Sequence, residues 1–80
     1  MSTHCVLKHL SQILVLLPEY VKGNEDSFHK IIGHLGEAED HLCTTNVVLM
    51  REIREHRLAF MEENGGYTIP IVDLISRLDR

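Results

Sequence analysis

Apolar residues recur at helical spacing near the start of the chain. Val6, Leu10 and Ile13 are separated by four and three positions, which places them on one face of a helix. Pro18 disfavours helical geometry at the residue before it. The pattern therefore predicts a first helix over about residues 3–17 that ends or kinks at the proline.

A second apolar stripe, with spacings of three and four, runs through the middle of the chain from Phe28 to Phe60. Residues 44–48 interrupt it with β-branched side chains, which are poor helix formers. The stripe predicts helices over about residues 27–43 and 45–63, either separate or joined. A joined helix would be about 55 Å long at 1.5 Å per residue, and only another subunit could cover it.

The last part of the chain begins with a strong helix stop at Asn64-Gly65-Gly66, because glycine adopts a left-handed cap readily. A final helix is predicted over about residues 69–79, with Pro70 in its first turn. This is the most apolar stretch of the chain, and it holds too many apolar residues for one buried stripe. We expect Ile71 or Ile75 to face a second surface, either another subunit or a target protein.

These elements predict an all-α fold of three or four helices in one small domain over residues 1–80. A chain this short buries only about 60–65 % of its unfolded surface, so we expect a helical hairpin or open bundle completed by self-association. In coiled assemblies a polar residue on the apolar seam can fix register, and Asn46 and His56 occupy such positions. The predicted oligomer or partner interface comprises Phe28, Ile31, Leu35, Leu42, Asn46, Leu49, Ile53, His56, Phe60, Ile71 and Ile75.

Charge and composition narrow the kinds of partner. The formal net charge is −4, and the only basic cluster, Arg51, Arg54 and Arg57, is interleaved with glutamates, so direct nucleic-acid binding is disfavoured. The longest aliphatic run, Ile13 to Leu17, is far shorter than the roughly 20 residues of a membrane span. Two widely separated cysteines are typical of reduced thiols, and we expect a cytoplasmic protein.

The chain has six histidines, so metal binding has to be considered. His34, Glu37 and His41 share one face of the predicted second helix, and Cys5 with His9 is a possible complement. A structural zinc site normally has four nitrogen or sulfur ligands, and the usual cysteine and histidine motifs are missing. We therefore expect no metal and no cofactor, with His34, Glu37 and His41 as the best candidates if a metal does bind.

Catalysis is not indicated. His41 and Cys43 are two positions apart, which points them to different faces of a helix. Gly65-Gly66 lacks the further glycines and the lysine of a phosphate-binding loop. We expect a protein that is not an enzyme.

What remains is a small acidic regulator that binds a protein partner stoichiometrically, as an inhibitor, anti-activator or antirepressor does. Its size and charge suit a phage or bacterial accessory factor. The partner's identity does not follow from the sequence. Two alternatives stay open: a histidine-based metal or pH sensor, and a small helical DNA-binding regulator in which the last helix reads the bases.

Overall fold

The computed structural model describes residues 2–78, and in this part of the chain it contains four helices and no strand. The all-α prediction is confirmed. The longest helix, α1, packs along α2; α2 packs against α3, and α4 returns to lie against α1. The helices are α1 Ser2–Val21, α2 Asp26–Leu42, α3 Val47–Glu62 and α4 Ile71–Leu78.

Helix α1 does not end before Pro18 but continues to Val21. Proline removes one backbone donor from the helix, and here the missing bond would be to the carbonyl of Leu14, whose side chain is exposed. The last turn is held by Tyr20, whose ring lies 5.7 Å from Phe28 and whose hydroxyl donates to the Asn64 carbonyl at 2.7 Å. The predicted end at residue 17 is therefore too early.

The middle of the chain forms two helices rather than one. α2 ends at Leu42, and the Asn46 side chain accepts the Leu49 N–H at 3.1 Å, which caps the first turn of α3. Asn46 is exposed. Within the chain Asn46 therefore lies outside the core, and its amide starts a helix.

The link from α3 to α4 contains the predicted stop. Gly65 has φ +85° and donates its N–H to the Phe60 carbonyl at 2.8 Å, and a Cβ there would overlap the Tyr20 ring. α4 then begins at Ile71, two residues later than predicted, with the Pro70 carbonyl accepting the first helical N–H. Asp79, the predicted last residue of this helix, lies outside the described residues.

The core closes within the single chain. The stripe of the middle helices meets the apolar face of α1 and the inner residues of α4, so these side chains are covered without a second copy. Phe28 and Phe60 stack with their ring centroids 5.3 Å apart and join the ends of α2 and α3. The buried apolar residues are Val6, Leu10, Ile13, Ile31, Leu35, Ala38, Leu42, Leu49, Met50, Ile53, Phe60, Ile69, Ile71 and Leu74.

An ion pair between Arg77 and Glu52 connects α4 to α3 and should make stability depend on pH. The hydrogen bond from Arg77 lowers the pKa of Glu52, with the positive charges of Arg77 and His56 acting in the same direction. A lowered carboxyl pKa stabilises the fold above the ordinary pKa, and this contribution is lost as the pH falls through the lowered value. We expect Arg77→Ala to unfold at lower urea concentration than the wild type at neutral pH.

This difference between wild type and Arg77→Ala should shrink as the pH falls below the ordinary pKa of glutamate. Urea unfolding followed by circular dichroism over a series of pH values measures it. Arg51→Ala is the matched control, because Arg51 is exposed on the same helix as Glu52 and makes no ion pair among residues 2–78. A gap between wild type and Arg77→Ala that stays constant with pH would contradict the linkage.

Candidate functional site

Most residues of the predicted interface lie inside the molecule. Those that are buried in the chain's own core are Ile31, Leu35, Leu42, Leu49, Ile53, Phe60 and Ile71. Phe28, His56 and Ile75 are half-buried, and Asn46 is exposed. In α4 the most exposed apolar side chain is Val72, whereas Ile71 and Leu74 face the core. A partner surface on this fold therefore has to be sought elsewhere.

The polar side chain of His56 has a partner within the chain. Its Nδ1 lies 2.8 Å from the Tyr67 hydroxyl, and the two rings stack with centroids 5.8 Å apart. This contact ties α3 to the segment that leads into α4. His56 is thus satisfied internally and does not need a second copy to receive its hydrogen bond.

The packing of α1 on α2 assembles a histidine cluster. Potential ligand atoms of His9, Glu37 and His41 lie within 4.8 Å of one another. His34 joins from the side, with its Nδ1 2.9 Å from the Nδ1 of His9. Cys5 lines an open cavity beside His9 and His34 but does not belong to the close group. Of the sequence candidates, the structure thus brings Glu37 and His41 together with His9 of the possible complement, whereas His34 and Cys5 lie beside this group.

His34 is the electrostatically perturbed member of this cluster. Burial lowers the pKa of His34, and positive charge on His9 lowers it further, while the carboxylate of Glu37 acts in the opposite direction. Because the two Nδ1 atoms are in hydrogen-bond contact, one of them must carry a proton and the other must accept it. A neutral His34 can be either the donor or the acceptor of this hydrogen bond, depending on which ring nitrogen carries the proton.

A buried carboxylate joins α2 to α3. Glu39 is only 5 % exposed, and its oxygens accept from Arg54 Nε at 3.1 Å and from Arg57 Nε at 2.5 Å. In the sequence these arginines formed only a basic cluster interleaved with glutamates, and Glu39 was not a candidate residue. The available signal was a carboxylate at the edge of the α2 stripe, facing two arginines three positions apart on the next helix.

These contacts also bear on nucleic-acid binding. Arg54 and Arg57 are held by Glu39, and Arg77, in the helix that would read bases, is held by Glu52. Arginines that contact phosphates or bases have to present their guanidinium groups to the ligand. The structure therefore adds no support to the DNA-binding alternative.

The outer surface of α1, which we call the outer α1 face, carries exposed apolar side chains. Leu14, Val15 and Val21 are 40 %, 60 % and 83 % exposed. Residues 9–18 contain no aspartate, glutamate, lysine or arginine. Val15 lies on the side of α1 turned away from the core, whereas Leu14 and Val21 flank the core-facing side, so the apolar surface of this helix extends beyond the predicted buried stripe.

An open cavity of about 300 Å³ lies next to the last turn of α1. Aromatic rings form part of its wall, and the carboxylate of Glu25 lies at its side. Of the predicted interface residues, Phe28 is the one that reaches this cavity. The lining residues are Tyr20, Glu25, Phe28, His29 and Asn64.

Both cysteine thiols are free. Cys5 is half-buried, and Cys43 is exposed, with its thiol directed to the Asp40 carbonyl at 3.1 Å. None of the helices within residues 2–78 has the length and apolar character needed to cross a bilayer. Comparisons of the chain with protein families, with curated proteins and with solved structures each found no match.

Proposed function

We propose that this chain is a small, acidic, non-enzymatic regulator in the cytoplasm that binds another protein in a fixed ratio, as an inhibitor, anti-activator or antirepressor does. The observation that carries the proposal is the outer α1 face. Leu14 and Val21 leave apolar surface in water beside the core-facing side of α1, and Val15 leaves it on the side turned away from the core. Exposed apolar surface of this kind is typical of protein interaction sites.

The outer α1 face has the geometry of a helix-docking surface. Leu7, Leu14 and Val21 repeat at intervals of seven residues and therefore follow one line along the helix. Over the ten residues 9–18 no formal charge has to be desolvated when a partner covers the surface. An amphipathic helix laid along this line would pack its apolar side chains against it.

The cavity at the end of α1 supplies an anchoring point. It opens at the same end of α1 as Val21 but beside Tyr20, which points to a different side of the helix, and its volume of about 300 Å³ accommodates one large apolar side chain. Central contacts in protein interfaces are commonly aromatic or aliphatic side chains held in such pockets. The outer α1 face and the cavity together favour a partner segment with a terminal apolar anchor.

Charge indicates the chemistry of that partner. The chain carries a formal net charge of −4, and Glu19, Glu25 and Asp26 are exposed near the end of α1. Basic residues beside the partner's apolar stripe would be attracted to this end of the molecule, whereas a second acidic copy would be repelled. We therefore assign the surface to a basic amphipathic helix of another protein rather than to self-association.

A displayed library of helical peptides tests this assignment. Peptides selected on the wild type should combine apolar residues at helical spacing with an excess of lysine and arginine. The double variant Leu14→Glu/Val21→Glu should bind them at least about 30-fold more weakly, which corresponds to roughly 2 kcal/mol for loss of a central apolar contact. Val48→Glu is the matched control, because Val48 is 69 % exposed on another helix.

Light scattering at micromolar concentration separates the two possible occupants of the outer α1 face. The assignment predicts a monomer of 9.2 kDa that forms a one-to-one complex with the selected peptide. A stable dimer that Leu14→Glu dissociates would instead show that the outer α1 face binds a second copy of the chain. Equal binding of the peptides by wild type and double variant would overturn the proposed site.

A further inference from the structure

We infer that His9, Glu37 and His41 form a binding site for a divalent transition-metal ion, of which Zn²⁺ is the reference case. The three side chains meet where α1 crosses α2, with one potential ligand atom from each lying within 4.8 Å of the others. His9 and His41 are half-buried and Glu37 is exposed, so an ion can enter from solvent.

The donor set matches what such ions bind. Two imidazole nitrogens and one carboxylate oxygen are the protein ligands of many zinc sites that keep one position open for water or another ligand. Imidazole also suits Ni²⁺ and Cu²⁺, whereas Ca²⁺ and Mg²⁺ prefer sets made of oxygen. The cluster is therefore selective for late transition metals.

The fold determines the positions of the ligands. Glu37 and His41 are four residues apart on α2 and face the same side. His9 is delivered by α1, whose neighbouring residue Leu10 is fully buried against α2 and the rest of the core. The rigid packing of two helices thus sets the distance between ligands that are distant in sequence.

Only a small rearrangement completes the site. In a tetrahedral zinc site the ligand atoms lie about 3.3 Å apart, since bonds of about 2.0–2.1 Å meet at the tetrahedral angle. In the structure the ligand atoms lie within 4.8 Å of one another. Rotation of the side chains can shorten these distances to the separation found in a zinc site. Glu37 is exposed and free to rotate, so it can move towards the two histidines.

His34 orients the site. Its Nδ1 lies 2.9 Å from the Nδ1 of His9, which leaves the Nε2 of His9 to bind the metal. Histidine ligands usually hydrogen-bond through their second ring nitrogen, and this contact fixes the tautomer and the ring position. His34 is therefore a positioning residue rather than a ligand.

The site adds stability to a fold that forms without it. The apolar core is complete in the absence of an ion, so the chain treated with EDTA should keep its helical circular dichroism. Binding to the folded state alone should then raise Tm by about 10 °C or more when free zinc exceeds Kd about 100-fold. The stabilisation arises because the bound ion would connect α1, which carries His9, to α2, which carries Glu37 and His41.

Titration calorimetry with zinc chloride on the metal-free full-length chain tests the inference. The wild type should bind one ion per chain. His34→Ala should lower the affinity about 10-fold, as expected for loss of an orienting contact, and His9→Ala and His41→Ala should lower it further. His29→Ala is the control with unchanged affinity, because His29 is exposed and lies about 12 Å from Glu37 along the axis of α2.

Circular dichroism of each variant shows whether it is folded, so that a loss of zinc affinity can be separated from a loss of structure. If His9→Ala loses helicity, His9→Gln takes its place. The histidine ring signals of the wild type in NMR provide a second readout, since His9 and His41 should shift on zinc addition while His29 does not. Absence of binding heat, or equal zinc affinity in the wild type and a folded His9 variant, would overturn the site.

Discussion

Phe60→Ala should lower the free energy of unfolding by about 3–5 kcal/mol, the range for removing a large aromatic side chain from a core. Phe60 is fully buried, stacks on Phe28 at 5.3 Å and lies 6.0 Å from the Tyr20 ring. It is therefore in contact with α1 and α2 at the end of α3. A domain of 80 residues has a total stability of about 4–12 kcal/mol, so the variant should lose a large share of its stability and unfold at a much lower urea concentration than the wild type.

Urea unfolding of Phe60→Ala, monitored by circular dichroism, measures this effect. Leu58→Ala is the matched control, since Leu58 lies two residues away on the same helix and is 50 % exposed. We expect the control to change stability by less than about 1 kcal/mol, because it removes little buried area. If the two variants unfold at the same urea concentration, Phe60 does not hold the three helices together as described.

The helical segments were predictable from the sequence because the apolar periodicity is strong. The residues at which the helices begin and end were not, because they depend on contacts between segments that are distant in the sequence. The three-four spacing from Phe28 to Phe60 correctly identified the middle of the chain as helical. Pro18 was given too much weight, because its local preference is outweighed by the packing of Tyr20 on the α2 and α3 aromatics. Asn46 was assigned to the apolar stripe because its spacing from the neighbouring apolar residues fits such a position. The same spacing is found for a residue that caps a helix.

The partner surface was harder to predict for a different physical reason. A periodic stripe shows that residues are buried but not whether the burial is against the same chain or another one. Ile31, Leu35 and Ile53 are buried in the chain's own core, so most of the stripe that suggested oligomerisation is covered within one chain. The exposed apolar residues of the outer α1 face could not be told from the buried ones in the sequence, because both are interspersed along the same helix.

The histidine cluster shows the same limit at a smaller scale. Spacing alone placed His34, Glu37 and His41 on one face of a helix and offered Cys5 with His9 as a possible complement. Which of these residues come close together depends on how α1 packs on α2, and the structure groups His9 with Glu37 and His41. A long-range contact of this kind carries no local signature, so spacing could not choose His9 over Cys5.

The second large effect should come from the buried carboxylate of Glu39. The double variant Arg54→Met/Arg57→Met keeps the apolar stems of both arginines but removes the partners of a charge that is almost fully buried. Removing the partner of a buried ion typically costs about 3–5 kcal/mol, and we expect about 3 kcal/mol here. Urea unfolding at neutral pH measures the loss.

The reverse substitution should cost less, because the two sides of the network are not equally buried. The side chains of Arg54 and Arg57 are 52 % and 23 % exposed, so Glu39→Gln leaves guanidinium groups that water can solvate. We expect a loss of about 1 kcal/mol for Glu39→Gln, the usual net value of a hydrogen-bonded contact. Adding Glu39→Gln to the double arginine variant should therefore restore stability, because it removes the unpaired charge. A triple variant less stable than the double variant would show that the stability comes from the arginine contacts themselves rather than from neutralising the buried carboxylate.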